Sequence, residues 1–323
     1  MADKPVALGI IGAGIMGQRM LNAVLDQSPD LVRVAGAWDP SPDAMNRLSA
    51  MFPGVECHAD AASAINASDC VYVASPPASH LGYARAALQA GKSFFGEKPL
   101  AVDLTEARAF VELAGDRGAV NFPFASSLGV AALRSWIAQG EVGEPQRVRI
   151  EVAFATWPRS WQSDAAGWLD RRAEGGFTRE VISHFLFLCR KLLGPLSELR
   201  ARAEFPESGK SERRIEATFS AGGVPVSING SVGETDRDDH NVWLLEGDKG
   251  LIRLRDWAIA ERRLSNADFQ AAPDAVPNEQ ARPIALRRQL EGVVRLARGE
   301  PHHLATLQEA LDVQEIVEGI LAS

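Results

Sequence analysis

Two rhythms of apolar and polar positions divide the chain. Up to about residue 122, short unbroken apolar runs alternate with amphipathic stretches: "VALGII" precedes "MGQRMLNAVLDQ", and "VRVAGAW" precedes "PDAMNRLSAMF". "CVYVAS" precedes "HLGYARAALQAG", "SFFGE" precedes "LTEARAFVELAGDRG", and "AVNFPF" closes the series. Unbroken apolar runs separated by helices predict parallel strands buried on both faces, a doubly wound α/β sheet. Beyond a helix at "GVAALRSWIAQG", the segments "QRVRIEVAFATW", "ELRARAEF", "RRIEATFS", "VPVSINGSVG", "NVWLLEGDKG" and "LIRLRDWAIAERRLS" follow, several with strict alternation. Alternation means one covered face and one wetter face, hence an open, mostly antiparallel sheet in an α+β domain.

One helix, "GFTREVISHFLFLCRKLLG", interrupts the second sheet and is ended by Gly194 and Pro195. A Pro-rich loop near 273–283 leads to two further helices, over 284–298 and 304–321. The expected organisation is therefore a nucleotide-type α/β domain over 1–122 and an α+β domain over 123–323.

The first loop gives the α/β pattern a chemical meaning. "GIIGAGIMGQRM" places Gly12, Gly14 and Gly17 in G-x-G-x-x-G order after a strand and at the start of a helix, with Ile15 and Met16 in its first turn. In that context Gly12 serves a tight turn, Gly14 the approach of backbone to a pyrophosphate, and Gly17 close packing of helix on strand. The helix start adds unpaired N–H groups and partial positive charge. Asp39 ends the second strand, 22 residues beyond Gly17. A carboxylate there accepts hydrogen bonds from an adenosine ribose and repels a 2′-phosphate, which favours NAD, with NADP as the alternative. The same Asp also suits the turn "DPSPD" that it opens.

Composition narrows the partners. The 323 residues are 46% hydrophobic and carry a net charge of −8, so no electrostatic footprint for nucleic acid or an anionic membrane is present. Cys57, Cys70 and Cys189 have neither metal-ligand nor redox spacing, and no run approaches the length of a membrane span. A cytoplasmic protein with a small-molecule substrate is expected. An uncovered apolar sheet face in the second domain would seek cover, so a homodimer or homotetramer is expected too.

Two stretches of the second domain hold candidate chemistry. "GGFTREVISHF" puts Glu180 and His184 four residues apart on a mostly apolar helix, which on α spacing shares one face. Without a second His this is no metal motif. "TWPRSWQSDAAGWLDRR" holds Trp157, Trp161 and Trp168, three of the chain's seven tryptophans, with Arg159 among them. Indole faces suit the apolar faces of sugar or cyclitol rings, and Arg159 suits a carboxylate or a hydroxyl pair. The same residues also suit a loop stapled by its own aromatics. His58, His302 and His303 read as solvent-exposed or capping groups.

Three motifs in order carry a resemblance. Glu97-Lys98-Pro99 in "SFFGEKPLAVDLTEA" resembles the E-K-P motif of the glucose–fructose oxidoreductase, inositol dehydrogenase and MocA family (Gfo/Idh/MocA). "VASPPASHLGYARAALQAGK" resembles its Pro-containing cofactor loop, and "GGFTREVISHFLFL" its glycine-rich turn and active-site helix. The resemblance implies a Rossmann domain, an open-sheet domain and NAD(P)-dependent transfer of hydride. It places Lys98 and His184 at catalytic positions, with Glu180 where an Asp is usual. Ser75, Pro76, Pro77 and His80 fall near the cofactor, and Glu97 flanks the site. Departures are Phe187, where many members carry another Asp, and "NFPFASS", which lacks a frequent arginine.

These residue types suit alcohol oxidation or its reverse. An imidazole titrates near neutral pH and acts as general base or acid. An ammonium holds negative charge on oxygen, and Glu180 orients the imidazole or shares its proton. The implied substrate is a small polyhydroxylated molecule: a sugar, sugar acid or cyclitol. A non-catalytic NAD-binding sensor, an imine or enone reductase, and hydrolysis through transiently oxidised NAD stay open as alternatives.

Overall fold

The computed structural model describes residues 4–264 and 267–323. The chain divides into two compact units, one of Met1–Ser126 with Pro283–Leu311 and one of Ser127–Arg282 with Asp312–Ser323.

The first unit is built on parallel strands β1 (Val6–Ile11), β2 (Val32–Trp38), β3 (Cys70–Val73), β4 (Ser93–Gly96) and β5 (Gly118–Val120). Their order across the sheet is β2-β1-β3-β4-β5, and a short strand, Ala305–Thr306, pairs antiparallel to β5. Helices α1 (Ile15–Asn22), α2 (Pro42–Met51), α3 (Ala61–Asn66), α4 (His80–Gln89) and α5 (Leu104–Ala114) connect them. α3 is a short helix that the apolar pattern does not mark; Asp60 caps it by accepting the Ser63 N–H at 2.7 Å. β1 and β3 are buried throughout, as two covered faces require. Because β2 lies on one side of β1 and β3 on the other, the winding reverses between β1 and β3. In open α/β sheets the ligand crevice lies at that reversal, outside the carboxyl ends of the strands.

The long helix Asn278–Ala297 begins before Pro283, within the stretch that reads as a Pro-rich loop. From Pro283 onward it packs with the first unit: Leu290, Val293, Val294 and Leu296 lie in one apolar cluster with Leu8, Ile10 and Tyr72. The expected second domain, 123–323, includes this helix, and the structure gives it from Pro283 onward to the first unit instead. Apolar periodicity marks which side of a helix is buried but not which core receives it.

The second unit carries an eight-stranded sheet. Helix α6 (Leu128–Ala138) precedes β6 (Pro145–Phe154). After the aromatic connection, helix α7 (Ala166–Leu169) and helix α8 (Ser183–Leu193) come β7 (Leu196–Glu204), β8 (Arg214–Ala221), β9 (Val224–Val232), β10 (His240–Gly247), β11 (Gly250–Arg255), β12 (Ile259–Leu264) and β13 (Gln270–Ala271). The sheet order is β13-β12-β11-β10-β6-β9-β8-β7, antiparallel throughout except for the parallel pair β6 and β9. Ile150, Val152, Phe154, Trp243, Leu245 and Ile252 are buried beneath the helices. Trp243 donates its indole N–H to the Cys189 sulfur of α8 at 3.2 Å.

The alternate sheet positions are more polar than an apolar face awaiting cover. Arg147 pairs with Glu246, and Arg253 and Arg255 both pair with Glu261, beside the partly buried Val242, Leu244 and Leu251. Among the described residues, no helix is long and apolar enough to cross a membrane.

Candidate functional site

The three glycines of the first loop meet three different demands. Gly12 has φ +107°, and a Cβ there would lie 2.6 Å from the Ala74 backbone. The loop after β1 thus presses directly on the loop after β3. At Gly17 a Cβ would sit 2.0 Å from the Gly12 carbonyl oxygen, so helix and strand approach as closely as the motif requires. Gly14 differs: it is extended, and nothing lies within 4 Å of where its Cβ would be. No side chain caps α1, and Ile15 beside it is 60% exposed. The protein's own packing explains Gly12 and Gly17 but not Gly14. A bare backbone position at an uncapped helix start is the shape that a pyrophosphate needs.

Asp39 braces this loop. Its carboxylate accepts the Ala13 N–H at 2.9 Å and the Ser41 N–H at 2.8 Å. It therefore serves the turn, as its chemistry suggested, and also the glycine loop. Trp38 and Tyr83 meet edge to face beside it, with ring centres 5.9 Å apart. Burial and then the Asp39 charge push the Tyr83 phenol above its usual range.

The lysine turn is gripped on both sides. Before Lys98, Glu97 accepts hydrogen bonds from the Tyr72 hydroxyl and from Asn121 Nδ2, the latter at 2.7 Å. Gln289 of the returning helix donates to Asn121 Oδ1. Burial, reinforced by Glu97, pushes the Tyr72 phenol well above its ordinary range, so the phenol stays protonated and donates. After Lys98, the Pro99 carbonyl lies 2.8 Å from His80 Nδ1, and the other ring nitrogen of His80 lies 2.7 Å from the Ser75 carbonyl. His80 is 4% exposed, and burial lowers its pKa against the opposing pull of the two carbonyls. Both ring nitrogens thus face backbone carbonyls, and the neutral ring donates its single N–H to one of them. His80 thereby braces the Ser75–Pro77 loop against the lysine turn. The Ser79 hydroxyl donates to Ser75 Oγ at 2.7 Å and stiffens the same loop. Gly12–Gly17, Ser75–Pro77, Glu97–Lys98 and Asn121 follow β1, β3, β4 and β5, so all stand at one edge of the sheet.

In the second unit, the helix bearing Glu180 and His184 is not α-helical from its start. Thr178–Ile182 is a π turn, and α8 begins at Ser183. The wider turn alters the face expected from α spacing; such turns are frequent where function needs a side chain re-aimed. Both residues are half-buried. The turn is anchored by Glu212, fully buried just before β8, whose Oε1 accepts the Thr178 N–H at 2.7 Å. Burial pushes the Glu212 carboxyl up. Gly176 has φ +99°, and its Cβ would lie 2.2 Å from Glu212 Oε2. The second glycine of "GGFT" is therefore space for a distant carboxyl.

The aromatic connection separates into two kinds of tryptophan. Trp157 is 6% exposed, packs against Phe154 and Phe177, and donates its indole N–H to the Leu169 carbonyl at 3.1 Å. It staples the loop. Trp161 and Trp168 are 54% and 42% exposed. Arg159 is buried: it pairs with Asp239 at 2.7 Å, donates to Gln162 at 3.0 Å and lies over the Trp161 ring. Its charge is matched within the protein, which departs from an arginine kept for a substrate carboxylate. His58 also departs from expectation: its side chain is 9% exposed and fills the space that Gly36 lacks. His303 is half-buried, with Nε2 2.9 Å from Ser126 Oγ. Among the described residues, no three His, Cys, Asp or Glu side chains gather as a metal site would need.

Sequence reasoning missed Tyr72, Asn121, Gln289, Glu212, Asp239 and Trp257. Trp257 packs edge-on to His184, with ring centres 5.7 Å apart, and against Phe185 at 5.5 Å. None of the six belongs to a local motif; the spare glycine at Gly176 was the one available trace of Glu212.

Comparison with known proteins shows the family. Residues 6–123 match the oxidoreductase family with an NAD-binding Rossmann fold (GFO_IDH_MocA), and residues 130–253 match the GFO/IDH/MocA C-terminal domain. The chain belongs to the Gfo/Idh/MocA oxidoreductase family, and its first unit is an NAD-binding Rossmann domain. An inositol 2-dehydrogenase of Klebsiella pneumoniae is 37% identical over 150 residues, and the matched stretch spans 44% of each chain. The chain therefore spans less than half the length of that relative. A dTDP-3,4-didehydro-2,6-dideoxy-alpha-D-glucose 3-reductase of Saccharopolyspora spinosa is 27% identical over 263 residues, covering 77% of this chain and 74% of the relative. The crystal structure of an inositol dehydrogenase homolog complexed with NAD+ from Azotobacter vinelandii superposes with a TM-score of 0.82 at 18% identity, covering 100% of this chain and 96% of that one. At that identity the likeness is one of fold.

Proposed function

We propose that the protein is an NAD-dependent oxidoreductase interconverting a hydroxyl and a carbonyl carbon on a small polyhydroxylated substrate: a sugar, sugar acid or cyclitol. The observation that carries this reading is the shared edge of the first sheet. The bare Gly14 position, the Ser75–Pro77 loop and Lys98 all follow strands at the end where open α/β sheets hold their ligands. The names of the inositol and dTDP-sugar relatives support the substrate class.

Gly14, Ile15 and Met16 would hold the pyrophosphate, with Asp39 toward the adenosine ribose and Ser75, Pro76, Pro77 and Glu97 along the remainder. Bound there, the nicotinamide supplies the hydride acceptor or donor. Lys98 then holds negative charge on the substrate oxygen as an ammonium donor. His184 takes the hydroxyl proton in oxidation and returns it in reduction. Glu180 orients the imidazole or shares its proton. Trp161 and Trp168, with indole surface exposed, offer faces to a sugar ring.

Lys98→Met tests the assignment. NAD affinity, read by NADH-fluorescence titration, is expected to stay within about threefold. Turnover of a substrate found by a polyol and sugar-acid screen is expected to fall about 100-fold or more, the scale of one lost charge-stabilising donor. Full turnover in the variant removes Lys98 from the mechanism. Tight NAD binding without turnover of any candidate favours a sensor of the same fold.

A further inference from the structure

The turn between β11 and β12 places a tryptophan where a tryptophan is costly. Three residues, Asp256, Trp257 and Ala258, link the paired strand ends. Asp256 and Trp257 are the central pair of a turn closed by the Ala258 N–H on the Arg255 carbonyl, with φ +49° and +67°. Two successive left-handed positions are what Asn-Gly adopts readily. A bulky side chain there is strained, and such strain persists only where surroundings over-determine it. The surroundings do so. The Trp257 backbone N–H donates to Asn241 Oδ1 at 2.9 Å, and its indole N–H donates to Asp239 Oδ2, also at 2.9 Å. Asn241 is 1% exposed and donates its own Nδ2 to Asp239 Oδ1 at 2.9 Å. Arg159 completes the set on Asp239. The indole is thus fixed at its backbone and at its nitrogen, and its ring meets His184 edge to face at 80°.

Simple filling of space beside Phe185 does not explain this arrangement. A Leu or Phe would pack there without the Asp239 bond and without a half-buried carboxylate to receive it. What the bond adds is orientation of a ring whose neighbour is the imidazole. We propose that Trp257 is a positioning residue: Asn241 holds its backbone, Asp239 holds its indole, and the indole sets the rotation of the His184 ring for proton exchange with the substrate. The chain of contacts continues outward, because Arg159 joins Asp239 to the exposed Trp161. The aromatic connection and the His184 ring therefore share one brace. The inference rests on the reading of His184 as the proton-transfer group.

Histidine-ring NMR tests the brace without a substrate. With ring-labelled histidine there are six side chains to observe, and His184→Gln assigns the resonance of interest. Trp257→Phe keeps an aromatic ring but loses the bond to Asp239; Asp239→Asn leaves Trp257 in place and removes the carboxylate. Both are expected to shift or split the His184 resonance and leave His58, His80, His302 and His303 in place, with His240 set aside because it adjoins Asp239. Once a substrate is in hand, both are expected to lower kcat at least tenfold with KM changed less than threefold, and to displace the pH profile of kcat. An unmoved His184 resonance in both variants overturns the brace. A shifted resonance with unchanged kcat and pH profile overturns the positioning role. If His184→Gln itself keeps full turnover, the reaction reading fails instead, and the NMR result alone then decides the brace.

Discussion

The two glycine turns of this protein resemble each other on paper and differ in what they answer to. At Gly12–Gly17 the demands come from the backbone within a few residues and from the adjoining β3 loop, and one position, Gly14, is left open by the protein itself. At Gly175–Gly176 the space is taken up inside: Gly176 yields to the Glu212 carboxyl, and Gly175 lies against the Trp168 and Leu169 backbone. The first turn is shaped for something that arrives, and the second for something already there. A glycine pair is therefore ambiguous until the atoms facing it are known.

The sharpest way to break this comparison is inside the first loop. Gly17→Ala is expected to cost about 3 kcal/mol or more, because the new Cβ meets a backbone oxygen that cannot move aside. Gly14→Ala is expected to change stability by under about 0.5 kcal/mol and yet weaken NAD binding about tenfold or more. Urea denaturation and NADH titration read the two effects. Equal losses of stability in the two variants would remove the distinction drawn between these glycines.

A smaller effect sharpens the second turn. The buried Glu212 carboxyl has its pKa raised above the unfolded value of 4.5, chiefly by burial. A raised folded pKa means stability that is fully present below the unfolded value and lost as pH rises through the folded one. Glu212→Gln cannot ionise, so its melting temperature relative to wild type is expected to climb as pH rises from about 4.5. A pH-independent difference between the two melting curves contradicts a carboxyl held in apolar surroundings.

The last effect belongs to Trp161. With the side chain 54% exposed, Trp161→Ala is expected to cost under about 0.5 kcal/mol, whereas a substrate-facing indole makes KM rise about tenfold, the scale of a lost ring contact. An unchanged KM in steady-state kinetics returns Trp161 to the ordinary surface and leaves Trp168 as the remaining exposed indole of that connection.

Legibility followed the distance over which each residue is held. The strands of the first sheet, the motif at Gly12–Gly17 and the turn role of Asp39 were readable because each involves neighbours in sequence or one βα unit. The brace around Lys98 was half readable. Glu97 and His80 stood near the motif, while Tyr72, Asn121 and Gln289 reached it from two other strands and a returning helix. Arg159 was noticed for its aromatic neighbours, but its partner Asp239 lies 80 residues away, so an arginine suited to substrate proved to be matched inside the fold. The π turn at Thr178–Ile182 also escaped a reading based on α spacing, because helical periodicity carries no mark of one wider turn.

By itself the sequence determined the alternation of strands and helices, the change from a parallel to a mostly antiparallel sheet, and the glycine loop with its uncapped helix, since these depend on periodicity and backbone sterics that act locally. Only the tertiary structure decided which core receives the helix Asn278–Ala297, that Glu212 fills the space at Gly176, and that Trp257 stands against His184. Those outcomes depend on which buried polar group finds a partner far along the chain, and a side chain excluded from water takes whatever donor or acceptor the fold brings to it.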